Sequence, residues 1–97
     1  MLTQRAERLN LHVPITYRVS GDDHWFLGHI VNISESGVLF EPTELRPGMP
    51  VELIFSTPVQ VGSIASGKLV CIGEVVRTTE MGVAGARFEE CRFVLEA

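Results

Sequence analysis

The 97-residue chain is poor in aromatic rings (7%), has only two cysteines and contains no long apolar run. The longest apolar stretches, such as Leu69-Val70-Cys71-Ile72, fall far short of the roughly 20 residues that cross a bilayer as a helix, so no membrane insertion is expected. Cys71 and Cys91 show neither a CxxC spacing nor a Cys/His ligand spacing. They are expected to be packed free thiols, with no disulfide and no metal. The first residues, Met1-Leu2-Thr3-Gln4-Arg5-Ala6-Glu7-Arg8, lack the basic-then-apolar order of a secretory signal, which predicts a cytoplasmic protein whose thiols stay reduced. Catalytic motifs are missing too: there is no GxSxG, no Gly-rich phosphate loop and no cysteine beside a base. The expectation is a protein that binds and does not catalyse.

Positive charge is also scarce. Eight Lys and Arg residues against twelve Asp and Glu give a net charge of −4, which argues against a nucleic-acid polymer as partner, since that binding needs a basic face. The distribution is nonetheless uneven. Residues 1–18 carry Arg5, Arg8 and Arg18 against Glu7, a net of +2, and leave −6 for the remainder. An anion site near the N-terminus is compatible with that asymmetry. The three histidines do not assemble into a metal site. His24 and His29 lie five apart on one predicted strand and so face opposite sides of a sheet, and His12 is remote from both. No metal and no cofactor are expected.

What the chain does have is apolar alternation. Hydrophobic residues make up 45% of it, enough for one core and one domain at this length. Val13, Ile15, Tyr17 and Val19 alternate with Pro14, Thr16, Arg18 and Ser20, the period of a half-buried strand. Ser20-Gly21-Asp22-Asp23 then supplies a turn, and residues 24–33 read as the returning strand of a hairpin. Ser34-Glu35-Ser36-Gly37 punctuates before Val38-Leu39-Phe40, and Pro47-Gly48 offers the centre of a type II turn before Val51-Glu52-Leu53-Ile54-Phe55. Residues 56–66 read as a loop, while 68–78 and 82–88 bring the number of strands to about six. So short a chain cannot leave many strand edges uncovered, which favours an antiparallel barrel with Val13, Ile15, Val19, Val51, Leu53 and Phe55 inside. Residues 89–97 are expected to form a short C-terminal helix, with a final strand as the competing reading.

One polar cluster has a chemistry to offer. Asn32-Ile33-Ser34-Glu35-Ser36-Gly37 sits at a strand end, where an amide and a hydroxyl can be presented outward and Gly37 is expected to adopt a positive φ. An ordinary hairpin turn would use the same residues.

The order of these features resembles the PilZ domain, a bacterial receptor module for the second messenger cyclic di-GMP. That family carries an RxxxR pair in an N-terminal segment, then a strand, then [D/N]xSxxG at the end of the next strand. Here Asn32-x-Ser34-x-x-Gly37 is complete, flanked by Gly28-His29-Ile30-Val31 and Val38-Leu39-Phe40. Pro47-Gly48, Gly73-Glu74-Val75-Val76-Arg77 and Gly85-Ala86-Arg87-Phe88 are similar to later parts of the family pattern, so the resemblance spans nearly the whole chain. It departs at the arginine pair: the first falls on Arg8, but His12 stands where the second belongs. The resemblance implies a PilZ-like split barrel over 13–88, preceded by a flexible ligand-binding segment over 1–12. It also implies ligand contacts from Arg8, His12, Asn32, Ser34 and Gly37, with Arg5 as a substitute cation. A neutral imidazole in place of a guanidinium loses a charge-assisted fork, which weakens binding about tenfold to a hundredfold. The alternative is an adaptor that no longer binds nucleotide and acts through an unknown protein partner. Either role belongs to regulation of bacterial motility, pili or biofilm polysaccharide.

Overall fold

In the computed structural model the described residues are 12–57 and 67–94. They form six strands: β1 (Pro14–Val19), β2 (Phe26–Ser34), β3 (Gly37–Glu41), β4 (Pro50–Thr57), β5 (Gly67–Thr78) and β6 (Ala84–Phe93). All neighbours are antiparallel, and the order β1-β2-β3-β6-β5-β4 closes on itself through the β1–β4 pair. Closure removes the free edges that a sheet of this size would otherwise expose. Four of the six seams join strands that are consecutive in sequence. The other two, β1 with β4 and β3 with β6, are long-range pairings, and the second brings the Gly37 turn beside β6.

The interior follows from alternation. Ile15, Val51, Leu53 and Phe55 are buried as expected, Val13 packs partly buried against the core, and Val19, at the end of its strand, is half-buried. Tyr17 is buried to 4%, its ring stacked against Phe26 and tilted against Phe40, and its hydroxyl donates to the Pro42 carbonyl at 3.0 Å. That bond satisfies the one polar atom the ring carries inward. The Pro47-Gly48 turn forms with Gly48 at φ 92° and the Met49 N–H donating to the Arg46 carbonyl at 3.2 Å, which is the type II geometry.

Alternation is interrupted at chosen places. On β2 the register steps from Ile30↔Phe40 to Asn32↔Leu39, so Val31 is an extra residue with no partner of its own on β3. On β5 it steps from Val75↔Ala86 to Arg77↔Gly85, which makes Val76 the extra residue there. Such bulges advance the side-chain phase by one. Ile30 and Ile33 are therefore both fully buried although three apart, and Val75 is buried while Val76 and Arg77 are both exposed.

Two expectations are corrected. Among the described residues no helix follows Phe88: β6 continues to Phe93 and pairs with β5 through Leu69↔Phe93. Residues 89–93 prolong the seam with the long strand β5, whose unpaired backbone groups they satisfy, while 95–97 lie outside the described residues. Nor are the cysteines free. Cys71 and Cys91 are directly opposite each other on that seam, with a Cα–Cα separation of 4.0 Å, and form a disulfide. Twenty residues of sequence separate them, so nothing in their spacing announces a contact that register alone creates.

A cross-link closing a loop of this length contributes about 2–4 kcal/mol. Urea unfolding of the wild-type domain is expected to shift to lower denaturant on addition of dithiothreitol, whereas a Cys71→Ser/Cys91→Ser double variant should not respond to the reductant. Equal curves for the wild type with and without reductant would contradict the bond.

Candidate functional site

The bulges and the registers together define an outer face across four strands. Asn32 pairs with Leu39, Leu39 with Gly85 and Gly85 with Arg77, giving one outward row from β2 to β5. Two residues along, Ser34 pairs with Gly37, Gly37 with Arg87 and Arg87 with Glu74, giving a second. Between them lies the row Ile33, Val38, Ala86 and Val75, all buried in the barrel interior. Asn32 and Arg77, each following its bulge, would point inward if strict alternation held.

Over these rows lies an open cavity of about 700 Å³, bordered by Ser34 and Ser36 at one side and by Arg77 and Arg87 at the other. Its volume falls in the range of about 300–1,000 Å³ that suits small-molecule ligands. Gly85 makes the floor low. A Cβ there would stand 3.0 Å from Leu39 Cδ2 and 3.2 Å from Arg77 Cγ, so the side chains of both neighbours lean over a position with none of its own.

Gly37 has a different reason to be glycine than the expected positive φ, which it does not adopt. A Cβ on Gly37 would collide with the backbone carbonyl oxygen of Ala86, because β3 and β6 approach closely at that pair. Ser34 is buried to 1%. Its hydroxyl lies 3.1 Å from that of Ser36 and accepts the Ser36 N–H at 3.3 Å, so it braces the turn. The Ser36 carbonyl in turn accepts the Phe88 N–H at 2.9 Å, tying the turn to β6. The hydroxyl of the exposed Ser36 is the one nearer solvent.

Of the residues expected from the sequence, Ser34 and Gly37 border the cavity and Asn32 stands in the adjoining row, half-buried, without lining it. His12 is exposed, two residues before the first residue of β1. With Pro14 opposite His29, it lies at the Asn32 end of β2. Arg5 and Arg8 lie outside the described residues. His24 precedes β2 rather than sharing it, its ring 4.5 Å from that of Phe26, and His29 Nε2 lies 3.3 Å from Glu41 Oε2. Among the described residues no three His, Cys, Asp or Glu side chains group as metal ligands, and no helix is long and apolar enough to cross a membrane.

The family model described as the PilZ domain matches residues 3–96. The chain belongs to that family. PilZ is a receptor and regulatory family, not an enzyme family. No individual curated protein matches this PilZ domain significantly.

Three residues of the PilZ outer face escaped sequence reasoning. Ser36 was hidden inside the motif as a variable position. Arg77 and Arg87 were visible only as members of strand segments similar to the family pattern, although each lies directly opposite a glycine, Arg77 facing Gly85 and Arg87 facing Gly37. Arg87 donates to Glu74 Oε1 at 3.1 Å, an exposed pair that contributes little to stability.

The two glycines should respond unequally to the same change. Gly37→Ala forces backbone apart and is expected to cost about 1–3 kcal/mol, while Gly85→Ala meets only movable side chains and should cost less than about 1 kcal/mol. Thermal melting of the two variants checks this, and equal losses would refute the distinction.

Proposed function

We propose that this domain is a receptor for cyclic di-GMP and that the ligand sits on the outer face of β2, β3, β6 and β5. The observation that carries this reading is the meeting of Ser34 and Gly37, from the Asn-x-Ser-x-x-Gly motif, with two arginines around one open cavity on a domain of net charge −4. A guanidinium suits both halves of such a ligand. It holds phosphate oxygens as a charge-assisted fork and donates twice to the O6/N7 edge of guanine. In this reading Arg8 supplies one fork from the N-terminal side, with Arg5 or His12 beside it, and Asn32 and the serine turn hydrogen-bond the opposite side. Gly37 keeps the turn against β6, where any side chain would lift it.

Binding draws the N-terminal residues onto the barrel and so alters the surface that a protein partner meets. This mode of signalling fits a regulator of motility, pili or biofilm polysaccharide. One feature favours the second reading, an adaptor without nucleotide: His12 stands where the family pattern has its second arginine.

Isothermal titration of the wild-type domain with cyclic di-GMP is the primary test. Saturable binding supports the receptor, and silence up to millimolar ligand overturns it in favour of the adaptor. Arg8→Ala is expected to cost about 1.5–3 kcal/mol of binding, whereas Arg92→Ala, exposed on β6 away from the cavity, should leave affinity unchanged. His12→Arg should tighten binding at least about tenfold, the equivalent of roughly 1.4 kcal/mol, without altering the melting temperature. A His12→Arg variant that binds no better than wild type would show that position 12 does not face the ligand.

A further inference from the structure

We infer that Arg77 supplies the second guanidinium of the nucleotide site, in place of the one missing at position 12; the inference rests on the receptor reading above. The geometry points to it in three ways. The first is the bulge at Val76. With Val75 fully buried, ordinary alternation would send Arg77 into the barrel, where an unpaired guanidinium is far too costly. One inserted residue turns it outward instead. Bulges are a common device for re-aiming a side chain beside a site. The bulge at Val31 does the same for Asn32, and the two re-aimed residues end one outward row, three interstrand steps or about 14 Å apart.

The second observation is that Arg77 has been left without a partner. Arg87 is engaged by Glu74, and Arg18 by Glu52 at 3.1 Å and by the Asp22 carbonyl at 3.0 Å. Among the described residues the Arg77 side chain makes no ion pair and no hydrogen bond, although it borders the cavity of about 700 Å³. Its own neutralisation therefore does not have to be undone before an anion binds.

Third, the stem of Arg77 is positioned even though its head is free. It lies directly opposite Gly85, and its Cγ and Nε are 3.2 and 3.3 Å from the place a Cβ would occupy there. The stem thus lies across Gly85 at the floor of the cavity, in a residue that is exposed overall. A head group held this way loses less freedom on binding than a lysine or arginine waving in solvent. The chemistry it fits is a phosphodiester oxygen pair or a guanine O6/N7 edge.

The test is titration of the full chain with cyclic di-GMP for the wild type, Arg77→Ala, Arg77→Lys and, as an equal change of charge elsewhere, Arg46→Ala. Arg77→Ala is expected to lose at least tenfold in affinity and Arg77→Lys to lose less, since it keeps the charge without the fork. Arg46→Ala should bind as the wild type does, and all four should melt together. If the wild type binds and Arg77→Ala binds equally well, the inference fails and the receptor reading stands. Equal losses in Arg77→Ala and Arg46→Ala would trace the effect to net charge and also overturn it. If the wild type itself is silent at millimolar ligand, the receptor reading falls and this inference falls with it. Should Arg77→Ala melt early, Arg77→Gln, which keeps the stem over Gly85, replaces it in the same comparison.

Discussion

Phase is the constraint on which the outer face depends. A strand has two sides, and a closed barrel assigns one of them to the core. Any strand that must bury both Ile30 and Ile33 and also show Asn32 is in conflict with its own period, and Val31 resolves the conflict by standing outside the ladder. The same conflict recurs on β5 between Val75 and Arg77, with the same resolution at Val76. Between these two strands, β3 and β6 keep strict register, and they supply the low ground of Gly37 and Gly85. The face is thus polar at its two outer strands and nearly bare in its middle.

Much of the barrel was legible in the sequence because its signals are local. The alternation of Val13 to Val19, the Pro47-Gly48 turn and the apolar face of Val51, Leu53 and Phe55 each specify their own element without reference to the rest. What failed was whatever depends on pairing between distant segments. Cys71 and Cys91 meet only because β5 and β6 take one register among several, and Glu89 to Phe93 extend only because β5 is long enough to receive them. Glu89 and Glu90 stand at exposed positions of β6, where charge is welcome.

The candidate site was half legible for the same reason. Asn32, Ser34 and Gly37 lie within one short stretch and were found as a motif. Arg77 and Arg87 come from two other strands, and a bulge hides the outward aim of the first, because a period-two reading assigns it to the core side. Gly37 is glycine for a cause other than the expected one: sequence suggests a backbone twist, whereas the pairing with β6 requires an absent side chain. A motif tells which residues a turn needs, and only the strand packed against it tells why.

The Cys71–Cys91 bond reaches further than the two strands it joins. In an open sheet a strand can slide past its neighbour and leave the far strands undisturbed. In a ring of six strands the offsets at all the seams must add to one fixed total, so a slip at any seam has to be compensated at another. Riveting the β5–β6 seam takes it out of every such exchange, so a slip elsewhere has to be matched within the other five seams. The disulfide therefore acts as a ratchet pawl for its own seam, and it holds Gly85 opposite Arg77 although neither residue touches sulfur.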